Sequence, residues 1–246
     1  MLGSASNLFP LGQSRICQLR RESRTDRAAV VTIAADDFAA VQADALRSFG
    51  ENERTYWQRD LAPRRRQSFL LGRVAARRAL HLLGQEPDAA GGIGIGVFGQ
   101  PVVHGGGSWA VSIAHSDAGA AAVAFPAGHP LALDLEFLQR DQLAAVQTML
   151  TTEEHELVKT LARGDAARER LVSFILWSAR EAVSKVLGCG LVCSGHILTV
   201  KTLEADNAGG WRGEYSHLGQ WAFAAVAHGE HLLALVHPKR TALGWE

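Results

Sequence analysis

Lysine is nearly missing from this 246-residue chain: only Lys159, Lys185, Lys201 and Lys239 carry it, and every other basic side chain among the 25 is arginine. Any phosphate or carboxylate gripped here is therefore gripped mostly by planar guanidinium forks. Net charge is missing too, since 25 Lys and Arg balance 25 Asp and Glu, which removes a bulk electrostatic drive toward nucleic acid or a membrane surface. An anion site must then be local. Cysteine is reduced to Cys17, Cys189 and Cys193, too few and too oddly numbered for a disulfide framework, and a cytoplasmic location fits that usage. No apolar run approaches the roughly 20 residues of a membrane span; the richest stretch, 118–125, is short and mostly alanine. Residues 1–27 lack the apolar segment of a secretory signal. Arg15, Arg20, Arg21, Arg24 and Arg27 among serines resemble a transit peptide, but Glu22 and Asp26 oppose that reading, so 1–27 is expected as a flexible N-terminal tail. The chain also lacks G-x-x-x-x-G-K-[ST], H-R-D and G-x-S-x-G, which leaves nucleotide hydrolysis, protein phosphorylation and a serine-hydrolase elbow without support.

What is present is an ordinary globular composition, 47% hydrophobic and 20% charged. Residues 30–33 read as a buried strand, and Asp36 as the N-cap of a helix that Gly50 stops. A second helix is predicted over 63–83. On it Phe69, Ala76, Leu80 and Leu83 fall within about 60° of one another, while Arg66, Arg73 and Arg77 share a stripe about 40° wide beside them. Residues 109–113 and 120–125 predict a hairpin turned through His115, Ser116, Asp117 and Gly119. Another strand follows at 131–137, then helical patterns over 141–161 and 166–187, then strands over 197–203, 211–215, 221–227 and 232–236. Strands gather at the end of each half with helices before them, so the class is α+β. The Pro/Gly cluster at 126–130 divides the chain into halves 28–128 and 129–246.

Three segments can carry chemistry. In Leu131-Ala132-Leu133-Asp134-Leu135-Glu136 the two acids are two apart on a strand and share a side. Adjacent anions on an apolar strand either face solvent or need a cation, and a hard divalent ion such as magnesium suits oxygen donors. In the helix over 166–187, Trp177, Glu181 and Lys185 follow at i, i+4 and i+8 on one face: a surface Glu–Lys pair beside a core tryptophan, or a metal and phosphate site. Ser112-Ile113-Ala114-His115-Ser116-Asp117 brings hydroxyls and an imidazole to a strand end. Sequence adjacency alone makes no Ser-His-Asp triad. Gly94-Ile95-Gly96-Val97-Phe98-Gly99 formally satisfies the dinucleotide fingerprint, but Pro101 and a glycine run follow where a helix should. Cys189, Cys193 and His196 have a zinc-like spacing without an evident fourth ligand, and read as loop or core thiols.

Taken in order, Pro63-Arg64-Arg65-Arg66-Gln67-Ser68-Phe69-Leu70-Leu71-Gly72-Arg73, Gly99-Gln100-Pro101, Ser112 to Ser116, Asp134-x-Glu136 and Trp177-x-x-Arg180-Glu181-x-x-x-Lys185 resemble the Sfp-like 4′-phosphopantetheinyl transferases over about residues 60–191. The resemblance implies a pseudo-dimer of two related α/β halves with the active site between them. It implies transfer of 4′-phosphopantetheine from coenzyme A to a serine of an apo acyl or peptidyl carrier protein, with release of 3′,5′-ADP, as a holo-carrier-protein synthase does. By resemblance Asp134, Glu136 and Glu181 match the magnesium ligands, with manganese able to substitute, and Lys185 matches the lysine that contacts phosphate. His115, Ser116 and Ser112 match the nucleotide-holding motif, with Arg66, Arg73, Arg77 and Arg180 as further coenzyme A contacts. Glu154 looks like the family's additional glutamate, next to Glu153. The base that takes the serine proton is then Glu154, Glu181 or a metal-bound water. Arg180 stands where the family has lysine, Gln100 where G-K-P has lysine, and Ala114 where serine is frequent. A monomer without nucleic-acid or membrane partners is expected. The competing reading is a coenzyme A or carrier-binding module without turnover, which would have little reason to keep three acids together.

Overall fold

The computed structural model describes residues 11–105, 107–139, 141–206 and 209–246. The described chain forms two compact units, one from residue 11 to 131 joined by 242–246 and one between 132 and 241.

The first unit is built on a fully antiparallel sheet. β1 (Ser14–Arg21), β2 (Arg24–Ala34), β5 (Trp109–Ser116), β6 (Gly119–Pro126) and β12 (Ala242–Trp245) take the order β12-β1-β2-β6-β5. β3 (Ile93–Ile95) and β4 (Pro101–Val103) make a separate small hairpin. That hairpin contains the glycine fingerprint: Gly94 lies within β3, opposite Val102, Gly96 and Gly99 belong to the turn, and the strand β4 follows where a helix should. Helices α1 (Phe38–Ser48), α2 (Glu51–Trp57) and α3 (Pro63–Leu82) complete the unit. α3 lies on β2, β5 and β6. Its approach is close: a Cβ on Gly72 would come within 2.7 Å of the Ile113 side chain.

The expected tail is a correction. From Ser14 onward it is sheet, with Cys17 and Leu19 pointing inward and fully buried while Arg20, Arg21 and Arg24 stay exposed. Arg15 and Arg21, on the same side as Cys17 and Leu19, hid the period-2 alternation; residues 1–10 lie outside the described residues. The chain's last strand also returns to this unit, pairing Cys17 with Trp245 and Leu19 with Leu243. Helix α2 was not foreseen either. Gly50, read as a stop, is its N-cap, and Glu53 accepts the Gly50 amide at 2.8 Å.

The second unit repeats the plan. β7 (Ala132–Phe137), β8 (Val200–Ala205), β9 (Gly210–Tyr215), β10 (Trp221–His228) and β11 (His231–Pro238) form an antiparallel sheet ordered β7-β11-β10-β9-β8. Helices α4 (Leu143–Thr148), α5 (Thr152–Ala162) and α6 (Ala166–Leu187) precede it, and α6 packs on β7 and β11. The pattern over 141–161 is thus two helices, because Thr151 caps a new start and accepts the Glu154 amide. Phe174, Ile175, Leu176, Ala179 and Val183 bury the inner face of α6 against Phe223, Leu232 and Val236. Among the described residues no helix is long and apolar enough to cross a membrane.

Candidate active site

β7 is an edge strand whose register on β11 sets Ala234 opposite Asp134 and Leu232 opposite Glu136. The pleat sends both acids to one side, and that side meets α6 rather than solvent. Asp134 is only 7% exposed. Lys185 Nζ donates to Asp134 Oδ1 at 2.7 Å and to the Leu133 carbonyl at 3.0 Å, and Ser178 Oγ donates to Asp134 Oδ2 at 2.9 Å. Trp177 Nε1 donates to Glu136 Oε1 at 2.8 Å. The helical stripe Trp177, Glu181, Lys185 therefore lies along the acidic strand, with Glu181 in the middle turn. The solvent-facing alternative for Asp134 and Glu136 is excluded by these bonds.

The electrostatics of the cluster are unbalanced. Burial, then the neighbouring Asp134 and Glu181 charges, push the Glu136 carboxyl up to about 8, against the opposing Trp177 hydrogen bond and Lys185. Burial and Asp134 likewise raise Glu181, with Lys185 and Arg180 opposing. Three acids thus feel one another with Lys185 as the ammonium in direct contact with Asp134. A surplus of half-buried oxygen donors is the environment that a hard divalent cation stabilises. The donor set fits magnesium in kind. Among the described residues, however, no three His, Cys, Asp or Glu side chains already stand as a coordination shell, because Asp134 is turned to Lys185 and Ser178, and Glu136 to Trp177.

Two expected residues have other work. Glu154 is fully buried, and its carboxylate accepts the Thr151 amide at 2.9 Å, the Val200 amide at 2.9 Å and Arg180 Nη1 at 3.1 Å. A carboxylate sealed from solvent and held by three donors cannot take a proton from another protein's serine. Arg180 is 3% exposed and also donates to the Met149 carbonyl. One residue before Glu181, it is rotated about 100° around the helix, toward α5 and away from β7. It ties α5 and the start of β8 to α6 and contacts no open surface, which corrects its assignment to coenzyme A.

The arginine stripe of α3 is corrected in the same way. Arg66 donates to the Trp57 and Arg59 carbonyls at 3.3 and 3.1 Å and lies over the Trp57 ring. Arg73 is buried, donates to the Gly94 carbonyl at 3.2 Å and stacks 4.9 Å from the Phe69 ring centroid. Arg77 is paired with buried Glu53. Together they brace α2 and the β3–β4 hairpin against α3.

A cleft of about 430 Å³ opens instead at the first turn of α3, lined by Arg64, Arg65, Gln67, Ser68, His115 and Ser116, among others. Arg64 pairs with Asp117, and Arg65 Nε donates to Tyr56 Oη at 3.1 Å. Ala62 caps α3 without a side-chain bond and Pro63 has no amide hydrogen, so the amides of Arg64 and Arg65 are helix-start donors without an intrahelical acceptor. Two guanidinium groups, an imidazole, hydroxyls and a helix start suit a phosphorylated ligand. His115 and Ser116, read as part of the turn, are instead the last residues of β5, opposite Ala120 and Gly119, and from there they line the cleft. Ser112 is buried in β5 and does not line the cleft. Arg64 and Arg65 were missed, although proline followed by arginines at a helix start was the available signal.

Residues 130–236 match the family model described as the 4′-phosphopantetheinyl transferase superfamily, and residues 53–125 match the model of the 4′-phosphopantetheinyl transferase N-terminal domain. A search of curated proteins found no match. The two matched spans contain the acidic strand, helix α6, and the cleft residues of α3 and β5.

Proposed function

Because this chain belongs to the 4′-phosphopantetheinyl transferase superfamily, we propose that it moves 4′-phosphopantetheine from coenzyme A to a serine hydroxyl of an apo acyl or peptidyl carrier protein, in a magnesium-dependent reaction that releases 3′,5′-ADP. The family assignment makes the chain an enzyme and sets aside the reading as a binding module without turnover. The observation that carries the mechanism is the acidic face of β7 covered by Glu181 and Lys185 of α6.

Phosphoryl transfer is mainly positioning together with neutralisation of charge on the non-bridging oxygens. Asp134, Glu136 and Glu181 would hold the magnesium, which when bound supplies positive charge to the diphosphate of coenzyme A. Trp177 and Ser178 fix one oxygen each of Glu136 and Asp134, so the strand presents its acids in a set orientation. Lys185 neutralises Asp134 and is the ammonium available to a phosphate oxygen at this face. With Glu154 sealed in the core, Glu181 is the carboxylate left to receive the proton of the attacking serine.

The cleft at the start of α3 takes the phosphorylated nucleotide end of coenzyme A, with Arg64, Arg65, His115 and Ser116 on its phosphate. Arg65→Ala is expected to raise KM for coenzyme A by about tenfold, a loss of about 1.4 kcal/mol for a charge-assisted hydrogen bond, with kcat little changed. Initial-rate kinetics check this, and an unchanged KM places the nucleotide elsewhere. The function itself is tested by incubating the protein with apo carrier proteins, coenzyme A and magnesium. One phosphopantetheine mass should be added to a carrier, and no adduct across acyl and peptidyl carriers of several assembly types overturns the proposal.

A further inference from the structure

We propose that Cys189 and Cys193 are a reversible disulfide site that controls the end of the helix carrying Glu181 and Lys185. Their Sγ atoms are 3.5 Å apart. A disulfide bond is about 2.05 Å long, so closure needs a movement of roughly 1.5 Å. The loop can supply it. Gly188 and Gly190 flank Cys189 with φ of 64° and 56°, and a Cβ on either would meet nothing within 4 Å. Both thiols are partly exposed, whereas Cys17 is buried. Metal binding by the pair is the poorer reading, because among the described residues no third ligand completes a metal-holding group, His196 included.

The pair is wired to the helix end. The Cys189 thiol donates to the Ser184 carbonyl at 3.8 Å, and its amide donates to the same carbonyl at 3.2 Å. The Gly188 amide donates to the Lys185 carbonyl at 3.2 Å, and Ser184 Oγ donates back to the Glu181 carbonyl. Oxidation removes the Cys189 thiol proton, so Ser184 loses one of these donors, and the new bond pulls on the turn that caps Lys185. Lys185 in turn holds Asp134. Displacing that turn shifts the ammonium relative to the acids.

The oxidant is a low-molecular-weight disulfide such as oxidised glutathione. One protein thiolate attacks a glutathione sulfur, giving a mixed disulfide and one glutathione thiolate, which takes up a proton. The second protein thiolate then attacks the sulfur of the first cysteine and expels the second glutathione. Two protein thiols and one glutathione disulfide become one protein disulfide and two glutathione thiols.

The test treats the full chain with oxidised glutathione and then with dithiothreitol. The intact mass should fall by two hydrogens, peptide mapping should join Cys189 to Cys193, and Cys17, whose thiol burial pushes up to about 12, should stay unmodified. Transfer to a carrier should slow by about tenfold, as small misplacements near reacting groups do, and should recover on reduction. A Cys189→Ser, Cys193→Ser double variant should be insensitive to the oxidant. A persistent glutathione adduct at either cysteine, no loss of hydrogens, or an oxidised protein as fast as the reduced one overturns the proposal. Mass and mapping need neither carrier nor coenzyme A, so their failure is distinct from failure of the transferase reading on which the rate effect rests.

Discussion

Glu181→Gln should lower kcat for carrier modification by about 10²–10⁴-fold, the range for removing a positioned acid–base group, while raising the melting temperature of the metal-free protein. The two effects come from one cause. Glu181 is half-buried beside Asp134, so its ionised form costs the folded state at neutral pH; the folded carboxyl binds its proton more tightly than the unfolded one. Replacing it with an amide removes that repulsion and also removes the charge that chemistry requires. Asp134→Asn should also abolish transfer, but without the gain in stability, because it leaves Lys185 without its carboxylate partner. Mass-detected turnover and thermal melts on both variants give the comparison. Near-normal turnover in both would sink the assigned ligand set.

The second large effect is on stability. Arg180→Ala should destabilise the fold by about 3–5 kcal/mol, the usual cost of stranding one partner of a buried ion pair. Glu154 would keep the Thr151 and Val200 amides but lose its countercharge, and the Met149 carbonyl would lose a donor. Arg180→Lys should cost less, since the charge remains, although one ammonium cannot reproduce the guanidinium fork. Denaturant midpoints measure the loss. If instead the midpoint holds and KM for coenzyme A rises, Arg180 contacts substrate and the brace between α5 and α6 is wrongly assigned.

Local periodicity made much of this protein legible. Alternation placed Asp134 and Glu136 on one side of a strand, and the 3.6-residue repeat placed Trp177, Glu181 and Lys185 on one stripe; both relations are intrinsic to a few neighbouring residues. The strands of the second sheet and the hairpin through His115 and Ser116 followed from the same signals. The family resemblance added the order of motifs, and with it the transferase class.

What the sequence could not carry was the destination of each charged side chain. Nothing within Arg66, Arg73 and Arg77 says whether a guanidinium stripe faces a ligand or a second helix, and α2 with Glu53 and Trp57 took that face. Glu154 and Arg180 are 26 residues apart and meet only because α5 packs on α6. β1 escaped notice because Arg15 and Arg21 interrupt the side that carries Cys17 and Leu19, and its pairing partners, β2 and β12, come from elsewhere in the chain. Whether an ion is a catalyst or a brace is set by what surrounds it, since burial and countercharge decide its energy. That surrounding is assembled from distant segments, so it exists only once the chain has folded.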